Sequence, residues 1–120
     1  MSIIAVDFDG TCVDHRYPDV GPNAPLAVTV LSRLYSEGHQ LILWTMRSGK
    51  ELQDAVDWFA SNGIGLYGVQ RNPDQDSWTT SPKAYAQIYI DDAALGAPLI
   101  NLAAFKRPVI DWEAVDRMIP

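Results

Sequence analysis

Residues Ser2 to Phe8 read SIIAVDF, apolar and rich in β-branched types, without the polar alternation of a half-solvated strand. A strand of that kind must be covered on both faces. The pattern recurs at Gln40 to Thr45 (QLILWT), Ile64 to Gln70 and Gln87 to Ile90, with Pro98 to Leu102 as a fifth strand. Between them lie stretches of helical period. Leu26 to Gly38 sets Ala27, Val30, Leu31 and Leu34 on one face with Gly38 as the stop. Ser48 to Glu51 has the form of a capping box ahead of Leu52, Ala55, Val56, Phe59 and Ala60, and Asn62-Gly63 ends that helix. Arg71 to Thr80 is loop by composition, and Ser81-Pro82 looks like an N-cap with proline opening a short helix. Asp111 is placed to cap a closing helix carrying Trp112, Val115, Met118 and Ile119. Trp44 and Trp58 are expected in the core. Apolar strands separated by amphipathic helices predict a doubly wound, Rossmann-like α/β domain, a parallel sheet with helices on both faces.

A chain of 120 residues is expected to be one domain, residues 1–120. Its net charge of −6 argues against nucleic acid or an anionic membrane as a non-specific partner, since either needs a basic face. Cys12 is the only cysteine, so no intrachain disulfide can form and a reducing, cytoplasmic setting is expected. The N-terminus lacks a basic leader segment, and no apolar run is long enough to span a bilayer.

In open α/β sheets, ligands bind beyond the carboxyl ends of the strands. Asp7 and Asp9 follow the first strand; Thr45, Arg47 and Ser48 follow the second; Lys83 precedes the fourth, and Asp91 and Asp92 end it. The expected fold therefore gathers acids, a hydroxyl and a lysine on one rim. Arg47, two residues beyond Thr45, is expected to face substrate. Trp78 is expected to pack back on the core, and Cys12 to be a buried, inert thiol.

DFDGT, LWTMR, SPK and YIDD, in that order, closely resemble the four motifs of the haloacid-dehalogenase-like superfamily of phosphohydrolases and phosphotransferases, over roughly residues 3 to 92. The resemblance implies a Mg²⁺-dependent phosphatase in which Asp7 is the nucleophile and forms an aspartyl-phosphate. It implies metal ligation by Asp7, the Asp9 backbone carbonyl and one or both of Asp91 and Asp92. Gly10, Thr45, Met46, Arg47 and Lys83 are the expected phosphate- and substrate-binding residues, Thr45 and Lys83 matching its second and third motifs, with Lys83 adding one positive charge to those of the metal. The chemistry suits these residue types. A carboxylate attacking a phosphate dianion needs cations against the repulsion, and Mg²⁺ favours hard oxygen ligands. Asp9 can protonate the leaving oxygen and later activate water, while Thr45 donates to a phosphoryl oxygen.

Members of that superfamily usually carry a cap inserted after the first motif or before the lysine. Here those intervals, Cys12 to Pro25 and Arg71 to Ser81, hold only a short flap and one loop. A capless enzyme is expected, one that takes bulky phosphorylated substrates or borrows cover from another copy of itself, with the flap, Arg47, Arg71 and the Trp78 loop setting specificity. Two other classes share the ingredients. One is a non-catalytic phosphate- or metal-binding module of the same fold. The other is a receiver-like phosphoacceptor domain, whose paired acids come early in the chain rather than last.

Overall fold

The computed structural model describes all 120 residues. Strands β1 (Ile3–Val6), β2 (Gln40–Leu43), β3 (Gly68–Val69) and β4 (Ile88–Ile90) form one parallel sheet in the order β3-β2-β1-β4. Helices α1 (Ala27–Ser36) and α2 (Gly49–Ser61) connect β1 to β2 and β2 to β3. The chain thus steps outward from β1 through β2 to β3, then returns to place β4 on the other side of β1. The carboxyl ends of β1 and β4 flank the point where strand order reverses, where such sheets leave a crevice. A two-stranded antiparallel ribbon, β5 (Leu99–Ile100) and β6 (Val109–Ile110), and a closing helix, α3 (Trp112–Met118), complete the chain. This is an α/β fold. No helix is long and apolar enough to cross a membrane.

The apolar periodicity describes the core well. Ile4, Val6, Leu41 and Leu43 from the sheet pack with Ala27, Val30, Leu31 and Leu34 of α1 and with Ala55 and Phe59 of α2 in a single cluster. Burying each such aliphatic side chain contributes about 1.5–3 kcal/mol, which is why the pattern dominates the local choices. Asp111 caps α3, its carboxylate accepting from the Ala114 N–H at 3.2 Å. Ser48, by contrast, makes no side-chain capping bond at the head of α2, and Trp44 is half-exposed, outside the core cluster.

Two expectations fail, and a third is met away from the main sheet. The third strand shrinks to Gly68–Val69, with Tyr67 and Gln70 still donating to the Leu41 and Leu43 carbonyls at 2.7 and 2.8 Å and Gln70 in a left-handed φ of 61° at its end. No helix opens at Ser81-Pro82; a single 3₁₀ turn, Gln75–Ser77, forms earlier in the loop. The buried side-chain amides of Gln75 and Asn72 take over the backbone that a helix would have paired. Gln75 Nε2 donates to the carbonyls of Ser81 and Lys83 at 3.1 and 3.0 Å, Gln75 Oε1 accepts from the Tyr85 N–H at 2.8 Å, and Asn72 Nδ2 donates to the Tyr85 carbonyl at 3.0 Å. Buried backbone groups need partners, and these satisfy them in an extended form. The fifth strand exists but pairs with Val109–Ile110, outside the main sheet.

The ribbon and α3 brace the loop after β1. The Ile110 N–H donates to the Gly10 carbonyl at 3.1 Å, and the fully buried Trp112 donates its indole N–H to the Thr11 carbonyl at 2.7 Å. Replacing Trp112 by Phe leaves that carbonyl buried without a partner. The expected loss is about 1–3 kcal/mol in urea unfolding, and a variant as stable as the parent would show that the bond does not hold the loop.

Candidate active site

Asp7 stands one residue past β1 and continues its ladder, its N–H donating to the Ile90 carbonyl at 2.9 Å. Asp91 and Asp92 directly follow β4. Side-chain oxygens of Asp7, Asp91 and Asp92 all lie within 4.8 Å of one another, each half-buried. The buried Thr11 hydroxyl ties two of them together, donating to Asp7 Oδ2 at 2.9 Å while accepting from the Asp92 N–H at 3.2 Å. Gly10 has φ +84°, and a Cβ there would collide with the Asp92 carboxylate and the His15 ring. Only glycine lets the loop close this tightly.

Burial, a hydrogen bond with Asp92 and the Asp91 charge push the Asp7 carboxyl up to about 8, against a partial opposing effect from Thr11. Three crowded acids with no cation between them hold a proton that a metal would displace. Hard oxygens from three carboxylates suit Mg²⁺, and the Asp9 carbonyl accepts no hydrogen bond from the chain.

Arg47 does not face substrate in this structure. Its guanidinium is 1% exposed and grips Asp9 with both prongs, Nε to Oδ2 and Nη2 to Oδ1, each at 2.8 Å. The remaining donors reach the carbonyls of Pro18, Asp19 and Glu51 at 3.2, 2.7 and 3.2 Å. The rings of Phe8 and Tyr17 flank it at 5.1 and 5.2 Å from ring centroid to guanidinium carbon. The hydrogen bonds with Asp9 raise the Arg47 pKa, overcoming the effect of burial. Every prong of this arginine is occupied.

An open cleft of about 450 Å³ lies over these groups, lined by Asp7, Asp9, Asp91, Asp92, Thr45, Met46 and Arg47, and closed on its other side by His15, Tyr17 and Arg107. The Thr45 N–H and carbonyl bond to the Gln70 side-chain amide, which fixes the end of β2. The N–H groups of Phe8, Asp9 and Met46 donate to no group of the chain, whereas the Gly10 N–H is taken by the Val13 carbonyl at 2.7 Å. Gly10 therefore shapes the site without offering a donor.

Lys83 is not brought to the cleft. It is exposed, its Nζ 5.3 Å from the centroid of the Tyr89 ring, beside Trp78 and Tyr85 in a separate surface depression. Trp78, 63% exposed, packs edge-on against Tyr85 rather than on the core. Arg71 pairs with Asp76 at 2.6 Å on the surface. Cys12 is fully buried, and burial together with the Asp7 and Asp9 charges pushes its thiol well above its ordinary value. Arg107 is the cleft residue that pattern reading passed over; the only sequence signal is the basic pair Lys106-Arg107 ahead of Pro108.

Together these describe an α/β protein with an acid-lined cleft at the reversal point of a parallel sheet. No family model and no curated protein matches the sequence. Among solved structures, a conserved protein from Bacteroides thetaiotaomicron is similar at 36% identity and a TM-score of 0.81, over 98% of this chain and 88% of that one. The chain belongs to the same family as that conserved protein.

Two outcomes are expected. Asp7 is protonated in the cation-free native state up to about pH 8, but the unfolded chain ionises it near its ordinary 3.8. Stability in chelator should therefore fall as pH rises from about 4 to 8. Mg²⁺ should restore more of it at pH 8 than at pH 5, as read by thermal unfolding; a flat profile would remove the acid cluster as a source of strain. Arg47→Met strands Asp9 without its partner and frees the flap carbonyls. It should cost ~3 kcal/mol or more in urea unfolding, and a loss below about 1 kcal/mol, the scale of an exposed pair, would contradict the buried clamp.

Proposed function

We propose that this chain is a capless haloacid-dehalogenase-like phosphohydrolase on a doubly wound sheet, hydrolysing a phosphate monoester through an aspartyl-phosphate on Asp7. The observation that carries the reading is the convergence of Asp7, Asp91 and Asp92 at the reversal of strand order, with Thr45 on the same cleft. Mg²⁺ held by the three carboxylates would supply positive charge against the repulsion between Asp7 and a phosphate dianion. The unpaired N–H groups of Phe8, Asp9 and Met46, with the Thr45 hydroxyl, are the donors available to phosphoryl oxygens. Asp7 attacks phosphorus, the Asp7 oxygen–phosphorus bond forms, and the ester oxygen leaves with a proton. Water then attacks phosphorus and releases phosphate, returning Asp7.

Asp9 is the acid and base of this scheme, and its geometry sets a condition. Both its oxygens accept from Arg47, so only the second lone pair of each is left for a proton while that pair holds. The flap carbonyls of Pro18 and Asp19 share the same guanidinium. Flap movement is therefore the natural route to freeing Asp9. The chain between β1 and α1 is a short flap, and that between β3 and β4 holds one 3₁₀ turn, so nothing inserted there closes the cleft. Bulky phosphorylated substrates, or cover from a second copy, fit that openness, and a lone buried cysteine suits the cytoplasm.

The occupied Asp9 and the displaced Lys83 favour one second reading, a phosphate- or metal-binding module without turnover. A panel of phosphorylated compounds scored for released phosphate separates the two. Turnover should require Mg²⁺, vanish in chelator and drop by orders of magnitude in Asp7→Asn. Phosphate release that survives chelation or that substitution would overturn the mechanism; chelator-sensitive phosphate binding without release would establish the module.

A further inference from the structure

We propose that Arg107 is the cation that meets the substrate's phosphoryl group in this cleft; the assignment rests on the phosphohydrolase reading. The charge balance requires such a group. Four carboxylates line the cleft, and a phosphate dianion adds two further negative charges. Arg47 is committed to Asp9 on both prongs, and Lys83 lies over the Tyr89 ring in another depression. Arg107 lines the cleft, is exposed, and pairs with no carboxylate.

Its placement is built rather than incidental. The Lys106 N–H donates to both oxygens of the fully buried Asp14 carboxylate, at 3.2 and 3.1 Å, and Arg16 bonds both Asp14 Oδ2 at 2.9 Å and the Ala104 carbonyl at 3.1 Å. Burial works to raise the Asp14 pKa, but these bonds win and hold it below its ordinary value. This latch joins the Arg107 loop to the flap. From it, Arg107 Nη2 comes within 3.1 Å of His15 Nε2, which is itself 3.4 Å from Asp92 Oδ2. Two short contacts therefore separate the guanidinium from the acid cluster. Its planar fork matches phosphate oxygens.

The test uses the full chain and Arg107→Gln, with Lys106→Gln as the control, because Lys106 serves the latch through its backbone. One readout is kcat/KM on an aryl phosphate at saturating Mg²⁺; the other is the Kd of inorganic phosphate with Mg²⁺ by calorimetry. Arg107→Gln should lose about tenfold or more in both, Arg107→Lys should recover part of it, and Lys106→Gln should match the parent. Arg107→Gln equal to the parent in both readouts, or Lys83→Gln bearing the loss instead, would overturn the assignment. If the parent binds phosphate but hydrolyses no ester, the hydrolase reading falls while the phosphate titration still decides Arg107. A parent that binds no phosphate overturns both.

Discussion

The buried fork between Arg47 and Asp9 is the interaction on which the rest of the site depends. It joins Asp9, three places past β1, to the turn between β2 and α2, and through the Pro18, Asp19 and Glu51 carbonyls it also holds the flap and the first turn of α2. Taking a guanidinium out of water costs several kcal/mol unless all its donors find partners. Here they do, between two aromatic rings. The same saturation leaves Arg47 no free donor and ties both Asp9 oxygens to it, which the proposed proton transfer at Asp9 has to accommodate. One contact thus sets the shape of the loop and the setting of Asp9.

Against that settled pair stands an unsettled cluster. Asp7, Asp91 and Asp92 crowd one another in a half-buried place, and the Asp7 carboxyl is pushed up there against the partial relief of the Thr11 hydrogen bond. A fold selected for stability alone would put neutral or paired groups there. The surrounding bonds hold the acids together instead of letting them part: Thr11 bridges Asp7 and Asp92, Gly10 makes room for Asp92, and Trp112 and Ile110 fix the carbonyls of Thr11 and Gly10. Local order here enforces local repulsion, which the Mg²⁺ of the proposed mechanism would relieve.

What the sequence discloses and what it hides divide along the range of the forces involved. The IIAV and QLIL strands and the apolar faces of α1 and α2 depend on burial at a fixed period, so they are legible from the residues in each segment. Asp7, Asp9, Asp91 and Asp92 were legible as a cleft because strand ends in a parallel sheet share a rim. Ser81-Pro82-Lys83 was not, since its conformation belongs to amides six to thirteen residues away in the chain. With the helix goes the placement of Lys83. Arg47 read as a rim residue because its spacing from Thr45 is right; that it turns inward depends on three flap and helix carbonyls no pattern announces. The β5–β6 ribbon is two residues on each side, too short for periodicity to register.

The setting of the cleft's flap side follows from the latch at Asp14. A chain with only a flap and two loops above its sheet could leave each to move independently, and a charged side chain on a free loop loses much of its binding to the entropy of ordering it. Here the flap and the loop before β6 meet on a fully buried carboxylate whose two oxygens accept from both segments. They behave as one body at their base. The Arg107 side chain stays exposed beyond that base and touches His15, so the backbone that presents it is tied down while its guanidinium faces the cleft rim. Held at the root and exposed at the tip, Arg107 suits the proposed phosphoryl contact in a domain with no inserted cover.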